Sequence, residues 1–144
     1  MKFSTQIEIQ APVKVIWNIM LQVERWHEWT PTIKSIKKLG TDGFGTNTKL
    51  LIQQPKLPTA VWKVFEMKPE EGFSMSKGNL FLKIVAAHIL QPGSNGTVVS
   101  LSLDFSGIFG KLVAKRYQQM MEGYLSIEAA CLKKEAERVE VMTA

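Results

Sequence analysis

Ile7–Pro31 reads IEIQAPVKVIWNIMLQVERWHEWTP, and the point at which its periodicity changes decides the fold. Back to Lys2 the chain alternates, with Phe3, Thr5, Ile7 and Ile9 on one side and Lys2, Ser4, Gln6 and Glu8 on the other, which specifies a strand over Lys2–Ile9. Ala11-Pro12 then opens a helix, because proline's fixed φ suits the first helical position and its missing N–H has no partner there anyway. Val13, Ile16, Trp17 and Met20 fall at i, i+3, i+4 and i+7, one apolar face. A short second helix or turn is expected over Val23–Trp29, stopped by Pro31 because the residue before a proline avoids the α region. In that turn Trp26 and Trp29 lie three apart and share a face if it is helical. They either fill the end of a core or guard an opening into it.

Downstream the pattern becomes short runs broken by turn residues. Strands are expected over Thr32–Leu39, Asn47–Gln53, Ala60–Met67, Phe73–Lys77, Leu80–Leu90 and Thr97–Phe105. Their short connections favour an antiparallel meander. Alternation puts Val99, Leu101, Leu103 and Phe105 on one face; it puts Trp62 and Val64 on one side of their strand and Phe65 and Met67 on the other, without saying which is inward. After Ser106-Gly107 one long helix is expected from Phe109 to Glu137, with Val113, Tyr117, Met120, Tyr124, Ile127 and Cys131 as its apolar stripe and Met121, Leu125 and Leu132 widening it. The final VEVMTA is expected to fray. A curved antiparallel sheet and one long amphipathic helix must bury their apolar faces against each other.

The 144 residues suit one domain, large enough to bury about two-thirds of the unfolded surface. Hydrophobic content of 45%, charged content of 22% and a mean hydropathy of −0.02 belong to a soluble globular chain. No apolar run approaches the roughly 18 residues that span a bilayer, and MKFSTQIEIQ does not build a signal-peptide core, so a cytoplasmic location is the expectation. The lone Cys131 cannot form an intrachain disulfide and reads as a small buried hydrophobe. Two histidines and one cysteine at 27, 88 and 131 lack metal-ligand spacing, so no metal is expected. The glycines of GTDGFG (Gly40, Gly43, Gly45) precede a strand and do not form a dinucleotide fingerprint; they read as a hairpin loop able to act as a lid, and no cofactor is expected. The turn Gly107-Ile-Phe-Gly110 reads as a hinge. Net charge is +5, with basic residues at Lys34, Lys37, Lys38 and at Lys111, Lys115, Arg116. These clusters lack the density and interleaved aromatics of a nucleic-acid face, so they read as solvated surface, with weak, transient attraction to anionic membranes as the remaining use.

Three stretches carry a family resemblance. I-x-A-P-V-x-x-I-W (Ile9, Ala11, Pro12, Val13, Ile16, Trp17), V-E-R-W-x-E-W-T-P (Val23–Pro31) and Q-P-x-L-P-x-x-x-W (Gln54, Pro55, Leu57, Pro58, Trp62), with the long terminal helix, resemble the polyketide cyclase/dehydrase and lipid-transport group of the START-like, helix-grip (SRPBCC) superfamily. The resemblance spans nearly the whole chain, so residues 1–144 are expected to form one START-like ligand-binding domain. It implies an α+β helix-grip fold: a curved seven-stranded antiparallel sheet wrapped around a long C-terminal helix, with two short helices between strands 1 and 2. It also implies a deep, mostly apolar cavity that binds lipids, quinones, sterols or polyketides, and in a minority of members cyclises or dehydrates them.

The expected function is therefore binding or transport of a hydrophobic small molecule, with a polyketide cyclase/dehydratase-type enzyme as the alternative. Trp26, Trp29, Trp62, Phe73, Phe81 and Phe105 are candidate ligand contacts because large aromatics on inward faces meet either core or guest. Tyr117, Met120, Met121 and Tyr124 form a belt on the long helix whose flexible thioethers suit irregular ligands and whose hydroxyls need partners when buried. His88, in an apolar strand, either orients a ligand carbonyl or acts as a general base, with Asp104 and Glu66 as conceivable carboxylate partners. If the protein is an enzyme, His88, Tyr117 and Tyr124 are its catalytic candidates.

Overall fold

Alternation in Lys2–Ile9 becomes the first strand of the computed structural model, which describes residues 1–143. The order is β1 (Lys2–Ile9), α1 (Val13–Leu21), a 3₁₀ helix (Val23–Glu28), β2 (Ser35–Leu39), β3 (Lys49–Gln53), β4 (Ala60–Lys68), β5 (Gly72–Gly78), β6 (Lys83–Pro92), β7 (Thr97–Ser106), α2 (Gly110–Arg116) and α3 (Gln118–Thr143). The seven strands form one antiparallel sheet in the order β1-β7-β6-β5-β4-β3-β2. The sheet curves around the terminal helices, and α1 and the 3₁₀ helix lie between the first two strands: this is the helix-grip architecture.

The apolar face of α1 is the expected one, with Ile16, Trp17 and Met20 buried. Pro12 takes the capping position, in extended conformation, one residue before the helix. Several strands begin later than expected, each for a local reason. Thr30 and Thr32 spend their hydroxyls on each other (2.8 Å), holding the chain in a buried turn before β2. Asn47 has positive φ, which delays β3. The Asn79 Oδ1 accepts from the backbone N–H groups of Phe81 and Leu82, folding Gly78–Leu82 into a turn that delays β6.

Two larger differences bear on function. The register of β4 against β5 shifts between Val64 and Glu66. Trp62 and Val64 face inward and Phe65 faces solvent, while this bulge returns Met67 to the core side, so Phe65 and Met67 do not share a face. The terminal helix, expected to be continuous, is broken at Tyr117, whose backbone (φ −112, ψ 15) leaves helical geometry. No proline or glycine marks the break, across which α2 packs on β7 and α3 chiefly on β1.

The buried stripe is also displaced. It runs through Ala114, Met121, Leu125, Ala129, Leu132 and Ala136, while Tyr117 and Ile127 are exposed and Cys131 is only partly covered. The expected stripe lies about one residue round the helix, because its bulky members outweighed the alanines in the reading; those alanines let the backbone approach the sheet closely. The helix also continues to Thr143 where fraying was expected. Its C-terminal half is fastened to β1: Lys133 Nζ donates to the Glu8 carbonyl (3.0 Å), and Glu137 Oε2 accepts from both Lys133 Nζ (2.6 Å) and the Gln10 N–H (2.9 Å). Those donors hold the Glu137 carboxyl below its ordinary pKa.

Candidate functional site

With α3 closed down on β1, the space left between helix and sheet lies under α2 and the first half of α3. Strands β2 to β7 contribute inward residues there: Ile36 on β2, Ile52 and Gln54 at the end of β3, Trp62 on β4, Met75 and Lys77 on β5, Ile84, Ala86 and His88 on β6, and Leu101, Leu103 and Phe105 on β7. The helices contribute Val113, Tyr117, Met121, Tyr124, Leu125 and Glu128, and the β3–β4 loop adds Lys56, Leu57 and Pro58. They surround a cavity of about 320 Å³, within the roughly 300–1,000 Å³ range of small-molecule sites. Its walls are largely aliphatic and aromatic, with a few polar groups.

His88 is the most constrained of these groups. It is buried, stacked on Phe73 (centroids 4.4 Å, planes 11° apart), with the Trp26 ring edge-on at 5.4 Å. Its Nδ1 has no hydrogen-bond partner among the described residues, and its Nε2 lies 3.6 Å from Glu128 Oε1. That separation exceeds a direct N–H···O bond. Gly72 sets the depth of His88: it has φ +147, and a Cβ there would come within 2.2 Å of the His88 carbonyl oxygen.

Lys77 and Tyr124 are less buried than His88. The Lys77 ammonium sits over the Trp62 ring at 5.1 Å, forms no ion pair among the described residues, and has its pKa lowered by burial. The Tyr124 hydroxyl donates to the Pro55 carbonyl, tying α3 to the β3–β4 loop, and burial raises its pKa.

Of the sequence candidates, Trp26, Trp62, His88, Phe105, Tyr117, Met121 and Tyr124 meet around this cavity. The others lie elsewhere. Trp26 is 2% exposed, and its indole N–H donates to the Met20 carbonyl (3.2 Å). Trp29 packs tilted against it (5.6 Å, planes 50° apart) but borders an outer groove with Asn18 and Arg138. Phe73 is buried behind His88, with Phe44 of the glycine-rich loop edge-on against it (5.4 Å), so that loop is anchored by an aromatic contact. Met120 faces an open groove beside Pro31 and Ile127. Phe81 is 56% exposed, on the outer turn between β5 and β6.

The carboxylate facing His88 is Glu128, not Asp104 or Glu66. Asp104 is on the outer face near the N-terminal ammonium (3.8 Å), and Glu66 is carried outward beyond the bulge. Two polar residues that the sequence reading passed over had a signal. Lys77 shares the parity of Phe73 and Met75, and Glu128 sits three residues after Leu125 and seven after Met121, on the cavity side of α3. Among the described residues no group of three or more His, Cys, Asp or Glu side chains is placed to hold a metal.

A known family's sequence profile, described as polyketide cyclase / dehydrase and lipid transport, matches residues 1–137. The chain belongs to that family. Among curated proteins no sequence match is found. Solved structures share the fold at low identity. A START superfamily protein from Mycobacterium smegmatis is 21% identical, with TM-score 0.71 over 96% of this chain and 98% of its own. A hypothetical protein from Helicobacter pylori is 13% identical, with TM-score 0.76 over 94% of this chain and 88% of its own. A Thermus thermophilus protein is 16% identical, with TM-score 0.75 over 96% and 99%. Membership of the family is consistent with hydrophobic-ligand binding or cyclase-like function and selects neither.

Proposed function

We propose that residues 1–144 act as one binding domain that carries or senses a hydrophobic small molecule, of lipid, quinone, sterol or polyketide-like chemistry, held between the sheet and the α2–α3 helices. The observation that carries this reading is the cavity of about 320 Å³ whose walls are apolar apart from isolated polar groups. A guest of roughly 20 heavy atoms at about 0.3 kcal/mol each gains about 6 kcal/mol, a dissociation constant on the order of tens of micromolar with no special contact. A guest hydroxyl lying beside the pair can accept from His88 Nε2 and donate to Glu128 Oε1, whereas a guest carbonyl can accept only from the imidazole.

Displacement of an environment-sensitive fluorophore by fatty acids, quinones and sterol analogues, with solvent extraction of the purified protein, tests the reading. Saturable displacement by at least one class supports it. A protein that takes up none of the three and carries no extractable lipid contradicts it.

The His88–Glu128 pair also favours a second reading, cyclase or dehydratase chemistry with His88 as base. Tyr117 and Tyr124 line the same cavity, but the Tyr124 hydroxyl is committed to Pro55, which leaves Tyr117 as the freer proton donor. Turnover of a polyketide-like substrate that survives His88→Ala sinks this second reading and leaves the first intact.

A further inference from the structure

The turn between β5 and β6 and the turn between β7 and α2 meet outside the cavity and form one platform. The Ile108 N–H donates to the Leu80 carbonyl (3.3 Å) and the Phe109 N–H to the Phe81 carbonyl (2.7 Å). The Phe81 and Phe109 rings stack at 6.3 Å. Gly107 permits this contact, since with φ +92 a Cβ there would lie 2.8 Å from the Leu80 and Phe81 carbonyl oxygens. The platform therefore has a defined shape.

Its outer surface is apolar to a degree that a solvated surface does not explain. Leu80 is 86% exposed, Ile108 73%, Leu112 67%, Phe81 56% and Phe109 48%. Contiguous large hydrophobics held in water mark a docking surface. Charge identifies what docks. Residues 77–83 and 106–121 contain no aspartate or glutamate; Lys83, Lys111, Lys115 and Arg116 are exposed there, and Lys77 turns into the cavity wall. A second copy meeting this patch about a two-fold axis would bring like charge onto like charge. A nucleic acid would leave the aliphatic Leu80, Ile108 and Leu112 without partners. Protruding apolar side chains ringed by cations match the interface of an anionic bilayer, with apolar groups entering the acyl boundary and cations at the headgroups.

We propose that the β5–β6 and β7–α2 turns form a docking surface for anionic lipid bilayers. The surface borders the cavity: Lys77 and Leu82 of the first segment and Val113 and Tyr117 of the second line it. Docking would bring the opening of the cavity to the bilayer, so that a hydrophobic guest passes between membrane and protein with little exposure to water. That last step rests on the ligand-binding reading; the docking surface does not.

Co-sedimentation with vesicles tests it, comparing pure phosphatidylcholine with phosphatidylcholine containing about 30 mol% phosphatidylglycerol, at salt from about 0.1 to 0.5 M. The expected result is binding to the anionic vesicles that weakens with salt, falls at least about ten-fold in L80S/I108S, and falls about five-fold for each cation lost in K111Q and K111Q/K115Q. Circular dichroism confirms that each variant is folded. The pocket-filling variant Ala86→Phe separates the two proposals: it should sediment like the wild type even though it takes up no ligand. No sedimentation with anionic vesicles, undiminished sedimentation of L80S/I108S, a dimer in analytical ultracentrifugation that L80S/I108S abolishes, or displacement from vesicles by a single-stranded oligonucleotide would each overturn the docking proposal.

Discussion

The imidazole of His88 on β6 and the carboxylate of Glu128 on α3 face each other across 3.6 Å in the cavity wall, joined by no direct hydrogen bond. One belongs to the rigid sheet and the other to the helix closed over it, so the pair reports how helix and sheet are spaced. A buried nitrogen without a partner costs free energy that an apolar side chain does not.

His88→Phe should therefore keep the stack on Phe73 while removing the unpaired nitrogen. We expect stability in urea to rise by about 1 kcal/mol. Affinity for guests bearing a hydroxyl or carbonyl should fall about ten-fold, with little change for a pure hydrocarbon.

Two alanines separate hollow from solid interior. Ala86 lines the cavity, whereas Ala129 is buried on the part of α3 closed against the sheet. Ala86→Phe should cost less than about 1 kcal/mol, because the added ring enters free space, and Ala129→Phe about 1–3 kcal/mol or more, because it must push packed atoms aside. Denaturation midpoints of the two variants decide it: equal, large losses would mean that no free space lies beside Ala86.

Much of the fold was legible in the first thirty residues and in the alternation of β7, where period and turn residues agree. The break at Tyr117 was not legible, because it falls where α2, packed on β7, gives way to α3, packed chiefly on β1, and leaves no proline or glycine in the sequence. The bulge at Val64–Glu66 was hidden because alternation assumes an unbroken ladder, so Met67 was grouped with Phe65. At the site the aromatic residues drew attention, while Lys77 and Glu128, charged residues at inward positions, were not singled out, because strand and helix faces are read from their apolar residues.

Gly72 and Gly123 should respond in opposite directions. Gly72→Ala forces a Cβ against the His88 carbonyl at positive φ and should cost about 2–3 kcal/mol or more. Gly123, within α3, has open space around its Cβ position, so Gly123→Ala should add about 0.5–1 kcal/mol. Thermal unfolding of both variants checks the pair.

Lys77 makes stability depend on pH. Its folded-state pKa lies below the ordinary 10.5, so the unfolded chain binds this proton more tightly. The cost is fully present at neutral pH and is relieved as pH rises through the lowered value toward 10.5. Lys77→Met should thus raise stability near neutrality by no more than about 1 kcal/mol, since the ammonium keeps part of its solvent, and the gain should shrink at alkaline pH. A gain that grows with pH would have the wrong sign.

Native mass spectrometry of the protein titrated with a long-chain fatty acid, a short-tailed quinone and a sterol analogue tests the central claim most directly. The account predicts a one-to-one adduct with at least one of these in the wild type, retained by L80S/I108S and absent from folded Ala86→Phe. No adduct with any of the three, or an adduct that Ala86→Phe retains in full, would contradict it.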